Sequence, residues 1–216
     1  MDDVTAQEVG MSKRITGYRE LRKAIPDIVS ERISPAEWLD TGCGMGGSIR
    51  SSVDRFPDTT FTLADPSEEN LSEARRTMEG KVSRFINAPT DGLELPGGSF
   101  DVITAILSHH YYSDREQKMA ALRNCLRMLR SGGMFITVEH ARHESSQAEA
   151  DAEWEGYMRS AGLREESIEE MFRRRDSVYF PYTVDGYRRL LEEAGFVDIE
   201  LFWHTCSDLG YIARKK

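Results

Sequence analysis

The chain has 216 residues, 39% hydrophobic and 30% charged, enough to bury the core of one α/β domain beneath a polar surface. Its formal charge of −9 argues against a free nucleic-acid binder, because phosphate neutralisation supplies much of such a protein's affinity. There is no apolar run of about eighteen residues and no signal-peptide order after Met1-Asp2-Asp3-Val4, and Cys43, Cys125 and Cys206 form no Cys-x-x-Cys pair. These features predict a cytoplasmic protein with no membrane span.

In chain order, residues 15–33 read as a leading helical segment, broken at Pro26 and ended before Pro35. Ala36–Asp40 reads as the first strand, followed at once by glycines and then by a helix over 47–55 with Ile49 and Val53 on its inner face. Phe61–Asp65 alternates as a second strand. Ser67 caps a helix carrying Leu71, Ala74 and Met78 at helical spacing. Val82–Ile86 and Asp101–Leu107 are the third and fourth strands.

Asp114 opens a helix with Leu122, Leu126 and Leu129 on one stripe, stopped by Gly132 and Gly133. Met134–Val138 is the fifth strand, so five βα units follow one another. Residues 141–182 depart from this rhythm and predict a helical cap insertion anchored by Trp154, Tyr157, Met158 and Leu163. A helix over 184–194 ends at Gly195, and Phe196–Trp203 with Leu209–Ala213 forms a closing strand pair. The expected fold is α/β: a doubly wound, Rossmann-like, seven-stranded sheet in a single domain of residues 1–216, with residues 1–34 as an N-terminal helical cap segment.

The turn Asp40-Thr41-Gly42-Cys43-Gly44-Met45-Gly46-Gly47 carries the first chemical signal. Glycines at every second position let the backbone bend sharply and approach a ligand without Cβ atoms in the way. The dinucleotide pattern G-x-G-x-x-G has a different phase, and an acid ahead of the first glycine would repel pyrophosphate. Asp40 suits instead a ligand carrying an ammonium and a sulfonium. Asp65, at the end of strand two, can accept both hydroxyls of a ribose.

These motifs resemble those of the class I S-adenosylmethionine-dependent methyltransferases across roughly residues 36–140 and again in the closing strands. Thr62-Leu63-Ala64-Asp65 is similar to their second motif, Gly98–Ile103 to the lead into their fourth strand, and Leu129–Gly133 to the loop before their fifth. The Trp154–Leu163 stretch resembles a branch that includes the carboxy-S-adenosylmethionine synthases.

The resemblance implies S-adenosyl-L-methionine as cofactor. Asp40, Gly42, Cys43, Gly44 and Gly46 would lie at its methionyl part and Asp65 at its ribose, with Pro66, Asp91 and Leu107 completing the wall. Family members commonly hold adenine with an Asp after strand three; here Ala88-Pro89 stands at those positions, and Asp91 is the nearest acid. The carboxylated-cofactor branch uses an Arg whose place falls on Leu190, with Arg188 and Arg189 out of phase, so ordinary methyl transfer is the better expectation.

Methyl transfer from a sulfonium needs alignment, exclusion of water and, for some acceptors, removal of one proton. His109, His110, Tyr111, Glu139 and His140, at the ends of strands four and five, are the candidate catalytic residues. His-His after a strand also occurs as packing. Glu139, His140, His143 and Glu144 are divalent-metal ligand types, but no second cluster accompanies them, so no metal is expected. The reading is a transferase acting on a small-molecule acceptor, without nucleic acid or membrane, and compatible with a homodimer. Its rivals are a transferase modifying RNA, protein or the cofactor itself, and a non-catalytic cofactor-binding protein.

Overall fold

Apolar residues continuous along short runs, most of them followed by a helix, give the central parallel strands in the computed structural model, which describes residues 3–216. The strands are β1 (Glu37–Thr41), β2 (Thr60–Asp65), β3 (Arg84–Asn87), β4 (Phe100–Ile106), β5 (Leu129–His140), β6 (Val197–His204) and β7 (Asp208–Arg214). They form one sheet in the order β3-β2-β1-β4-β5-β7-β6. The pairs from β3 to β5 are parallel, and β7 runs antiparallel between β5 and β6. The order reverses between β1 and β4, the place where α/β sheets open a crevice at their carboxyl ends.

The helices are α1 (Asp3–Arg14), α2 (Tyr18–Arg32), α3 (Arg50–Arg55), α4 (Glu68–Thr77), α5 (Arg115–Met128), α6 (Gln147–Ser160), α7 (Glu165–Ser177) and α8 (Val184–Ala194). One core joins Leu122, Cys125, Tyr187 and Leu191 of α5 and α8 to Leu39, Ile103 and Phe135 of the sheet. A second joins Leu21, Val29, Val53 and Leu71 to Trp38, Leu63, Val102 and Ile136, so helices cover both faces. A third, smaller cluster packs Trp154 and Met158 of α6 on Ile168 and Met171 of α7, with Tyr179 and Cys206. Trp154 Nε1 donates to the Arg14 carbonyl at 2.7 Å, tying α6 to the end of α1.

Several expected boundaries move. Pro26 lies inside a continuous α2 rather than breaking it. A proline leaves the carbonyl four residues earlier without its helical donor; here the Ser51 hydroxyl donates to the Arg22 carbonyl at 2.8 Å and replaces it. Helix α3 begins at Arg50 rather than Gly47, because Gly42, Gly44 and Gly46 all hold positive φ and the chain is still turning.

No α-helix joins β3 to β4, so the run of βα units is interrupted. A single 3-10 turn at Thr90–Gly92 stands there, stapled by Asn124 Nδ2 to the carbonyls of Thr90 at 2.7 Å and Leu93 at 3.0 Å. Strand β5 starts at Leu129 and runs through Gly132 and Gly133. The Gly132 N–H donates to the Lys215 carbonyl at 2.9 Å and the Lys215 N–H to the Gly133 carbonyl at 3.1 Å, extending the ladder past the glycines.

Candidate active site

Two cavities open side by side at the carboxyl ends of β1, β2, β4 and β5. The first, of about 580 Å³, is lined by Gly42, Cys43 and Gly44 of the glycine turn, by Asp65 and Pro66 after β2, by Pro89 and Thr90, and by Leu107 and Tyr111. The second, of about 470 Å³, lies between β4–β5 and the helices α1 and α7, with His110, His140, Arg174 and Tyr179 in its wall. Met11, Leu107 and Tyr111 line both, so the two share a partition. Leu107 holds φ 54, a conformation costly for a branched residue, and its N–H donates to the Val138 carbonyl at 2.7 Å.

The floor of the first cavity is built by backbone and carboxylate together. The Gly44 N–H donates to Asp65 Oδ2 at 2.8 Å, while Asp65 Oδ1 accepts the Ser67 N–H at 2.9 Å and Asn70 Nδ2 at 3.1 Å. Thus Asp65 ties the end of β2, the N-terminus of α4 and the glycine turn into one unit. Gly44 has open space where a Cβ would stand, whereas a Cβ at Gly46 would lie 2.5 Å from Met78 Cε. Gly46 therefore serves the packing of the turn on α4 and does not line the cavity. The Cys43 thiol is buried, and burial pushes its pKa up.

Asp40 lies beneath this floor, buried and outside the cavity wall. Parallel register sets it beside Thr104, whose hydroxyl donates to Oδ1 at 2.5 Å and accepts Trp38 Nε1 at 3.1 Å. Its Oδ2 has no partner among the described residues, and burial raises its carboxyl to about 7 against the hydrogen bond from Thr104. Asp91 is also outside the wall: its Oδ1 accepts the Tyr112 hydroxyl at 2.9 Å, and Pro89 and Thr90 face the cavity instead.

The candidate catalytic residues separate into two groups. His110, Tyr111 and His140 line the second cavity; His109 and Glu139 line neither. His109 Nε2 meets the Thr90 hydroxyl at 3.2 Å, and full burial lowers its pKa to about 3, so it packs as a neutral ring. Glu139 Oε1 accepts the His109 N–H at 3.2 Å, and burial lifts its carboxyl to about 7 against the opposing charge of Lys118.

His110 is held neutral by burial and by the neighbouring His140, whose ring centroid is 4.5 Å away. His140 Nδ1 lies 2.9 Å from Asp208 Oδ1, its partner in the β5–β7 register. No group of three or more metal-ligating side chains occurs among the described residues.

Sequence reasoning missed Met11, Asn70, Ser108, Arg14, Arg174 and Glu170 as wall residues. None carries a local motif; Met11, Arg14, Arg174 and Glu170 meet because α1 and α7 close over the sheet edge, while Asn70 comes from α4 and Ser108 from just after β4. Arg174 of α7 donates its Nε to the Tyr179 hydroxyl at 2.9 Å. Arg175 is buried, paired with Asp151 and Asp176. The aromatics divide: Tyr179 lines the second cavity, while Trp154, Tyr157 and Phe172 belong to the cap cluster and Tyr182 packs on the core of α5 and α8. Leu190 is buried in α8, and neither Arg188 nor Arg189 lines a cavity.

Comparison with known proteins agrees with this architecture. A family model described as a methyltransferase domain matches residues 39–133. A carboxy-S-adenosyl-L-methionine synthase of Campylobacter fetus is 23% identical over 209 residues, covering 95% of this chain and 88% of that protein. A demethylmenaquinone methyltransferase of Thermus thermophilus is 30% identical over 120 residues, 55% of this chain and 53% of its own length. Among solved structures, an S-adenosylmethionine-dependent methyltransferase of Thermotoga maritima superposes with a TM-score of 0.67 at 16% identity, covering 99% of this chain and 96% of that one.

Proposed function

We propose that the chain is a member of the class I S-adenosylmethionine-dependent methyltransferase superfamily, and that it transfers a methyl group to a small-molecule acceptor held in the second cavity. The observation that carries this reading is the pair of adjoining cavities with a shared partition at Leu107 and Tyr111. Each has a volume in the usual range for small-molecule sites. A macromolecular acceptor would call for an open face instead.

S-adenosylmethionine is the cofactor, and the residues present fit it. Gly44 leaves room for close backbone approach, and Asp65 Oδ2 keeps about one lone-pair site beyond its three donors for a sugar hydroxyl. In this reading Gly42, Cys43 and Gly44 hold the methionyl part, Asp65 and Pro66 the ribose, and Pro89 and Thr90 flank the base. Asp40 and Gly46 act beneath the surface by shaping the turn, and Asp91 by positioning Tyr112. When bound, the cofactor supplies an already activated methyl group.

The protein's own work is then to orient and to exclude water. Leu107 and Tyr111 line the junction of the cavities, and α1 and α7 cover the acceptor side. His110 and His140 line the acceptor cavity, and burial with the neighbouring His140 holds His110 neutral. Titration calorimetry with S-adenosylmethionine, S-adenosylhomocysteine and NAD tests the reading: the first two should bind and NAD should not. Failure of both adenosyl ligands to bind the folded chain would overturn it.

A further inference from the structure

We propose that the second cavity takes an acceptor bearing a carboxylate and that Arg174 is the residue that binds it; this deepens, and rests on, the methyl-transfer reading above. Three consecutive arginines lie near the end of α7, each turned about 100° from the last by the helix. Arg173 pairs with Glu170, and Arg175 is buried against Asp151 and Asp176. Of the three, Arg174 lines the cavity. Its Nε donates to the Tyr179 hydroxyl at 2.9 Å, and the Tyr111 hydroxyl is the other side-chain oxygen beside it. Tyrosine hydroxyls are uncharged near neutrality, so among the described residues no carboxylate balances this guanidinium.

The rest of the wall strengthens that charge. Met11, Ile15, Leu107 and Met171 are apolar, and burial keeps the His110 ring neutral. Water screens little in such a setting, so a guanidinium attracts an anion more strongly than in bulk solvent. Arg14 of α1 adds a second cation to the wall, with no ion pair among the described residues. The acids of the wall do not cancel these two. Glu170 is engaged by Arg173, and Glu166 lies eight residues before Arg174, about 12 Å along the helix axis.

The planar fork selects the anion. A guanidinium offers parallel N–H groups at the spacing of two carboxylate oxygens. The Nε bond and a cation–π contact at 5.3 Å from the Tyr179 ring centroid hold that fork in place. Tyr111 and Tyr179, edge to face at 5.3 Å, supply aromatic surface for an apolar body beside the charge. A doubly charged phosphate would meet Glu166 and Glu170 in the same wall, and the chain's charge of −9 disfavours a polyanion. The ligand class is therefore a small monocarboxylate with an apolar body.

The test uses benzoate and its neutral analogue benzamide, titrated by proton–nitrogen NMR into the 15N-labelled full chain with and without S-adenosylhomocysteine. Benzoate should bind about 10-fold tighter, the margin of a charge-assisted over a neutral hydrogen bond, and should move the Nε–Hε signal of Arg174. Arg174→Gln should abolish the preference. Arg174→Lys, which keeps the charge but not the fork, should retain part of it.

Equal affinity for the two probes, an unmoved Arg174 signal, or a preference that survives Arg174→Gln would overturn the proposal. If that variant does not fold, the wild-type preference and the Arg174 signal decide. Displacement of benzoate by S-adenosylhomocysteine would assign the guanidinium to the cofactor's own carboxylate and overturn the proposal equally. Failure of S-adenosylhomocysteine to bind would strike the methyltransferase reading instead, and the titration without it would still judge the carboxylate site.

Discussion

Gly42 and Ser108 are pressed together so closely that a Cβ on the glycine would stand 2.3 Å from the Ser108 Cβ. The contact joins the turn after β1 to the first residues after β4, and both line the first cavity. Gly42 also holds φ 65, the left-handed region that an L side chain occupies only at a cost.

Gly42→Ala should therefore destabilise the fold twice, by roughly 1–2 kcal/mol from conformation and roughly 1–3 kcal/mol from overpacking. Adding Ser108→Gly should recover the second part and leave the first. Chemical denaturation of the four chains of that cycle measures both, and strictly additive effects would show that the two residues do not press on each other.

Asp65→Ala should weaken binding of S-adenosylmethionine by roughly 1–3 kcal/mol, the scale of leaving buried polar partners unpaired. Titration calorimetry gives the number directly. Unchanged affinity would remove Asp65 from the ribose and leave it as a brace between Gly44 and Asn70.

Asp40 ionises from 3.8 in the unfolded chain but only at about 7 when folded, because burial disfavours its charge. The folded chain thus holds more protons between those limits, and this group's contribution to stability falls as pH rises through that window. Above about 7 the loss is complete. Asp40→Asn should then melt higher than wild type at alkaline pH, with the gap closing toward pH 4. A gap independent of pH would contradict the shifted carboxyl. The comparison is made without cofactor, so that binding does not enter.

Ser51→Ala removes the hydroxyl that donates to the Arg22 carbonyl, where Pro26 has no N–H to offer. A loss of about 1 kcal/mol is expected on denaturant unfolding. In a Pro26→Ala background the helix supplies its own N–H, and the same serine change should cost less.

Much of the frame was legible because it depends on neighbours in sequence. Ser67 and Asp114 were expected as caps, and they accept the N–H groups of Asn70 and Glu116. Gly195 closes α8 in the left-handed conformation, as a glycine just past a helical stripe should. The loop between β3 and β4 shows the limit: five successive βα units were expected, but a 3-10 turn stands there, fixed by the staple from Asn124, more than thirty residues away.

The site shows the same division. Gly42, Cys43, Gly44, Asp65 and Pro66 could be read as cavity wall because each follows the end of a strand, where a parallel sheet presents its loops. His109 and His110 are consecutive and could not be told apart; the short turn after β4 sends one ring to Thr90 and the other to the second cavity.

By itself the sequence determined the strand order of chemistry along the chain: an acid and alternating glycines after β1, an acid after β2, histidines after β4 and β5. These are short-range facts of backbone freedom and hydrophobic period. Tertiary structure alone decided which of those groups meet solvent and which are buried, because α1 and α7 close over the sheet edge from distant parts of the chain. It also paired His140 with Asp208, since the register of two antiparallel strands sixty-eight residues apart is set by the packing of the whole sheet.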